Sequence, residues 1–182
     1  MSTVTKYKSP SMAPQTPSGQ VVVPRASVVM RAFTTTTRHP MLTAAAGLAK
    51  QQRLRAEAHQ LACDPHADDH VVAAATRAVN AAEAGCAVLI EQIDVWAAIH
   101  LTEHRAGLLH TETLGQLIDR LAAGWTRWHL LDAVDDSAAR PQARVALRQL
   151  GELADAYDDL VTDLLTGRRR LPVHHISTGP MV

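Results

Sequence analysis

Three carboxylates, Glu91, Asp94 and Asp119, are the residues of this 182-residue chain whose type and spacing could do chemistry. Carboxylates at i and i+3 share one side of a helix, and hard cations such as Mg²⁺ take oxygen ligands. Glu91-x-x-Asp94 and Asp119 on neighbouring helices would therefore make a magnesium site, with Asp155, Asp158 and Asp159 as further oxygen donors. The simpler reading is that these acids lie on solvated helix faces.

Histidines offer a second set. His100 and His104 have the i,i+4 spacing by which two imidazoles grip one metal, and His110 follows. The helix that carries His100 is expected to end near Leu101, so no third ligand is fixed, and histidines at a helix C-terminus are favourable without any metal. His66 with His70, and the His174-His175 pair, are weaker candidates. Cys63 and Cys86 lack the close spacing of a zinc site and read as small buried residues in a reducing compartment. With no phosphate-cradling glycine loop and no nucleophile triad, the sequence points to no cofactor and to a non-enzymatic protein.

The acidic pattern resembles that of the all-α nucleotide pyrophosphatases, which draw ExxE and ExxD from two helices; that resemblance implies a Mg²⁺-dependent nucleotide hydrolase. Here the upstream element is Asn80-x-x-Glu83, and it shares a helix with Glu91-x-x-Asp94. The departure makes hydrolysis the alternative and binding the primary reading.

The elements that must position these residues are helices. Leu114, Leu117, Ile118, Leu121, Trp125 and Trp128 fall on one face of a 3.6-residue helix within 110–131, started at either Thr111 or a Thr113-x-x-Gln116 capping box. Trp125 and Trp128 would fill the core or, exposed, anchor a partner. Asp119 and Arg120 flank that face and are expected to act as a structural ion pair across the bundle or as binding residues.

Upstream, a weakly amphipathic helix is expected over 41–61. A long helix follows from Asp64 or Asp68 to about Leu101, with the stripe Val72, Ala75, Val79, Ala82, Cys86, Leu89, Ile90, Ile93 and Trp96. Downstream, a helix capped at Ser137 carries Ala146, Leu150, Leu153, Tyr157, Leu160 and Leu164 to Gly167, placed as a left-handed C-cap before Pro172. Nothing reads as a strand. The expected fold is all-α, an antiparallel four-helix bundle over 41–170, in which the three later helices form the trunk and the first packs across it. A disordered Ser/Thr/Pro-rich extension is expected over 1–40 and a flexible tail over 171–182.

Charge is balanced overall but not along the chain. Residues 1–56 hold eight Lys or Arg and no acid, residues 57–167 hold all 18 acids against seven Arg, and Arg168, Arg169 and Arg170 follow. Basic ends on an acidic body either fold back on it or attract nucleic acid; self-neutralisation is the expectation, since no interleaved aromatics accompany them. Aromatics are 3% and alanines number 31, so the core must be built from Ala, Leu and Val by close helix approach. The Arg-over-Lys and Ala bias fits a GC-rich actinobacterial or phage source. The acid-free N-terminus has the composition of a transit peptide without a continuous apolar signal core, and Met1, Met30 and Met41 are alternative starts. A cytoplasmic protein is expected.

RAVNAAEAGCAVLIEQIDVW (77–96), HTETLGQLIDRLAAGWTRWHLL (110–131) and ADAYDDLVTDLLTGRRRLP (154–172) resemble the domain-of-unknown-function family DUF4254. The family's polar, Trp-bearing helix ahead of these segments is absent, so the N-terminal third falls outside the resemblance. What the resemblance implies is a helical bundle, with no reaction or ligand. The function expected is that of an accessory protein whose partner is a protein, with a homodimer as one form of that.

Overall fold

The computed structural model describes residues 22–172 apart from 103, 105, 135, 136 and 138. Its elements are α1 (Ala26–Ala32), α2 (Pro40–Ala62), α3 (Asp69–His100), β1 (Leu108–Leu109), α4 (Leu114–Asp132), α5 (Arg140–Leu165) and β2 (Arg169–Arg170). Among the described residues the fold is all-α save for one small pairing of strands. Among the described residues no helix is long and apolar enough to cross a membrane.

Local chemistry sets most boundaries. Pro40 occupies the first turn of α2, where its missing N–H costs nothing. Of the two candidate caps for α3, Asp68 is used: its carboxylate accepts from Val71 N at 2.9 Å. Thr113 and Gln116 form the reciprocal capping box of α4, with bonds of 3.2 and 2.9 Å. Ser137 does not cap α5. That helix begins at Arg140 after Ala139, with proline again in its first turn. Gly167 takes φ +73°, and Arg168 N then donates to Asp163 O at 2.9 Å, satisfying a carbonyl at the end of α5.

Two expectations are corrected here. Part of the 1–40 extension is ordered: α1 lies within it and buries Ala26, Val29 and Ala32 in the common core, joined there by the flanking Val23 and Phe33. Its start is capped from another helix, since Ala26 N donates to the Asp158 carboxylate at 2.8 Å and the Tyr157 hydroxyl donates to Pro24 O at 2.9 Å. Residues 1–21 of that extension lie outside the described residues, as do 173–182 of the tail. The chain also contains strands: Leu108–Leu109 pairs in parallel with Arg169–Arg170. Leu108 N and His110 N donate to Arg168 O and Arg170 O at 2.9 and 2.8 Å. A two-residue bridge between distant segments leaves no alternation in sequence.

The trunk also differs from expectation. α2 and α3 form the most extensive pair, α4 lies on both, and α5 is held through α4 and α1 with no close backbone approach to α2 or α3. The main core fills one end of this array. It combines α1 with the first halves of α2 and α4 and the second halves of α3 and α5, through Met41, Leu48, Ile93, Leu114, Ile118, Leu121, Tyr157 and Leu160. We call this the closed end. Toward the opposite, open end the buried apolar residues outside that core are all alanines: Ala58, Ala75, Ala82, Ala143 and Ala146. There α5 keeps to α4 and makes no close approach to α2 or α3.

Candidate functional site

The predicted acids do not converge. Glu91 is exposed, and Asp94 is 5% exposed and turned to α4, where it accepts from Gly115 N at 2.7 Å. A carboxylate at that place meets the orphan donors and the positive end of the helix. The fit is tight: a Cβ on Gly115 would stand 2.5 Å from Ile90 O. One turn further along α4, Asp119 instead accepts from Gln52 Nε2 of α2 at 2.6 Å. Among the described residues no group of three or more His, Cys, Asp or Glu is placed to hold a metal ion. The acids of α5 are divided as well, with Asp158 capping α1 while Asp155 and Asp159 stay exposed.

The Asp119–Arg120 pair is corrected in the same way. Neighbouring helical residues diverge by about 100°, so the two side chains part. Arg120 reaches Glu112 Oε2 at 2.7 Å on the surface, and Asp119 faces α2 and α3. Trp125 and Trp128 are half-buried against the core; Trp125 meets Phe33 edge-on at 5.7 Å, and the His129 ring lies 3.6 and 4.3 Å from the two indoles. His100 stacks on Trp96 at 4.8 Å, His104 faces Gly167, and His110 turns to the backbone of Glu112. His66 and His70 are exposed, while His174 and His175 lie outside the described residues.

Arg168 and Arg169 both hold Asp163, at 2.7 and 3.3 Å, and Arg170 is partly buried in the strand pairing. Cys63 is exposed rather than buried, 3.7 Å from His59 Nε2.

The structure brings together a set that the sequence reading did not. Gln52 and Cys86, both buried, and the half-buried Asp119 form a polar seam where α2, α3 and α4 meet, with Gln52 Nε2 also 3.8 Å from Cys86 Sγ. Burial, then the Asp119 carboxylate, push the Cys86 thiol up to about 11, so it is a neutral thiol at physiological pH.

Beside this seam, toward the open end, lies a cleft of about 670 Å³ among α2, α3, α4 and α5. Gln52, Arg55, Ala56 and His59 line it from α2, Val79 and Glu83 from α3, and Gln142 from α5. The α4 wall carries Ala123, Thr126, Arg127, Leu130 and Leu131. Thr126 is 4% exposed, and its hydroxyl has no hydrogen-bond partner among the described residues. A helical threonine ordinarily satisfies its hydroxyl on the i−4 carbonyl, as Thr162 does on Asp158 O at 2.9 Å. Nothing in the sequence distinguishes Thr126 from such residues, since the deficit depends on its rotamer and on neighbours from other helices.

Fold and site together define an all-α protein whose polar seam opens into a cleft with cationic and amide groups on apolar walls. The chain belongs to the family described as Protein of unknown function (DUF4254), whose model matches residues 48–173. The matched span holds most of α2 and all of α3, α4 and α5, hence every residue lining the cleft, and leaves α1 outside. Comparison with curated proteins and with solved structures gave no match.

Proposed function

We propose that this protein is a non-enzymatic accessory protein that binds another protein in the cleft at its open end. The observation that carries the reading is the cleft itself: α5 makes no close approach to α2 or α3, and the space among the helices is walled by Ala56, Val79, Leu130 and Leu131. Helices with an unfilled apolar seam between them are suited to take a further helix. The separate engagement of Asp94 and Asp119 weighs against the Mg²⁺-dependent hydrolase built on Glu91, Asp94 and Asp119. The ion pairs from Arg168 and Arg169 to Asp163 weigh against a nucleic-acid interface at Arg168, Arg169 and Arg170.

The test is capture from host extract by three forms of the full chain. Ala123→Trp narrows the cleft from α4, and Leu109→Ser alters an exposed residue of β1 away from it. The expected result is one partner held by the wild type and by Leu109→Ser and lost from Ala123→Trp at unchanged helicity. Retention by Ala123→Trp would place docking elsewhere. Release of pyrophosphate from a nucleoside triphosphate with Mg²⁺, abolished by Glu91→Gln, would overturn the non-enzymatic reading.

A further inference from the structure

We infer that the occupant of the cleft is an acidic amphipathic helix of another protein, whose carboxylates meet Arg55 and Arg127 while one accepts from the buried Thr126 hydroxyl. This rests on the cleft being the docking surface, and it adds the chemistry of the partner. A buried hydroxyl left without an acceptor is unfavourable because it has given up water and gained nothing in return, and Thr126 Oγ1 is such a group among the described residues. Arg55 from α2 and Arg127 from α4 line the same cleft, and no ion pair holds either of them among the described residues. Glu83 is the acid of the lining, against these two guanidinium groups. Asp119 lies behind this lining with an oxygen already engaged by Gln52.

Charge also selects among occupants. The segments of this chain outside the described core, 1–21 and 173–182, contain no Asp or Glu, and the first carries Lys6 and Lys8, so neither supplies the side-chain carboxylates that would complement the cleft. An occupant from another chain, with acids along one side and aliphatic residues toward Val79 and Leu131, complements both the rim and the walls.

The experiment measures binding of labelled amphipathic peptides that share one Leu/Ala face and carry Glu, Gln or Lys on the other. The Glu peptide should bind the full chain at low ionic strength, about tenfold more tightly than the Gln peptide, with the Lys peptide weakest. Arg127→Glu, alone or with Arg55→Glu, should reverse that order at unchanged melting temperature, because Arg127 is exposed and Arg55 half-exposed. Thr126→Val should weaken the Glu peptide several-fold while melting at the same temperature or higher, a combination that loss of structure would not give.

Equal binding of the three peptides, or binding of none, overturns the inference. Displacement of the Glu peptide by millimolar inorganic phosphate at constant ionic strength overturns it in favour of a free anion. Self-association of the wild type that Arg127→Glu abolishes overturns it in favour of a second copy of this chain. If Ala123→Trp loses its protein partner while the peptides show no charge preference, docking stands and the acidic occupant falls; if capture is also unaffected, both fall.

Discussion

The two ends of this helix array are packed by different means. At the closed end, α1 inserts beside α2, α4 and α5, and large side chains such as Met41, Leu48, Ile93, Leu121 and Tyr157 are almost wholly buried. At the open end the buried apolar residues beyond that core are alanines, Ala58, Ala75, Ala82, Ala143 and Ala146, and α5 makes no close approach to α2 or α3. Alanine lets two backbones come close but leaves little side chain to reach a third or fourth helix. The same composition therefore gives a multi-helix core where Leu, Ile and aromatic residues are buried among the alanines, and a cleft where the fully buried apolar residues are alanines alone. The Gln52–Cys86–Asp119 seam stands at the border.

The sharpest way to break the closed end is one methyl group. Gly115→Ala would set a Cβ 2.5 Å from Ile90 O and 3.0 Å from the Asp94 carboxylate, contacts that α3 and α4 can relieve only by separating. We expect a loss of about 3 kcal/mol or more, combining overpacking with a weakened cap, read as a fall in melting temperature of about 10 °C. A variant that melts as the wild type does would mean that α3 and α4 are not locked together there.

The border comes next. Asp119→Ala leaves the buried Gln52 amide with only the weak sulfur acceptor of Cys86 and should cost about 1–3 kcal/mol. Arg120→Ala removes a surface pair with Glu112 and should cost under about 1 kcal/mol. Because the two residues share no partner, the double variant should lose about the sum of the two in denaturant unfolding. A coupling above about 0.5 kcal/mol would re-establish them as one structural unit.

Cys86 gives the border a pH signature. Its thiol is pushed up from 9.0 to about 11, so the folded chain holds that proton more tightly than the unfolded chain. The corresponding stability is fully present below pH 9 and is lost as the pH rises through 11, where the folded thiolate forms. Between those limits wild type should lose about 1–2 kcal/mol that Cys86→Ala does not lose. Parallel declines of the two proteins would show that the seam does not bury the thiol.

The contrast between the ends also explains what could be read from the sequence. Long helices and their stops were legible because their signals are local: Thr113 with Gln116, Asp68 before the stripe of α3, and Gly167 before Pro172. α1 was not. Val23, Ala26, Val29 and Phe33 do repeat at three- and four-residue intervals, but over seven helical residues between Pro24 and a threonine run, and its cap is Asp158, more than a hundred residues away. The acids were legible as acids and misleading as a cluster, because rotation along the helices sends Asp94 to the α4 backbone and Asp119 to Gln52. The cleft was invisible for a related reason. It is a place where α5 and α2 do not meet, and no periodicity in one helix records the absence of another.

The smallest effect tests the solvent side of α5, where a glycine has the opposite meaning from Gly115. A Cβ on Gly151 would meet nothing within 4 Å, and the residue is exposed in the interior of a 26-residue helix. Glycine there leaves the unfolded chain more freedom to lose and exposes backbone to water without serving any close approach. Gly151→Ala should therefore stabilise the protein by about 0.5–1 kcal/mol, a rise of about 2–3 °C in melting temperature, with α-helix content unchanged or slightly higher. Introduced together with Gly115→Ala, it should recover only its own small share of the loss, since the two glycines lie on different helices and have no neighbour in common. A destabilising Gly151→Ala would mean that another surface reaches this face of α5, and the outer side of the helix would then have to be counted with the packed regions instead of with solvent.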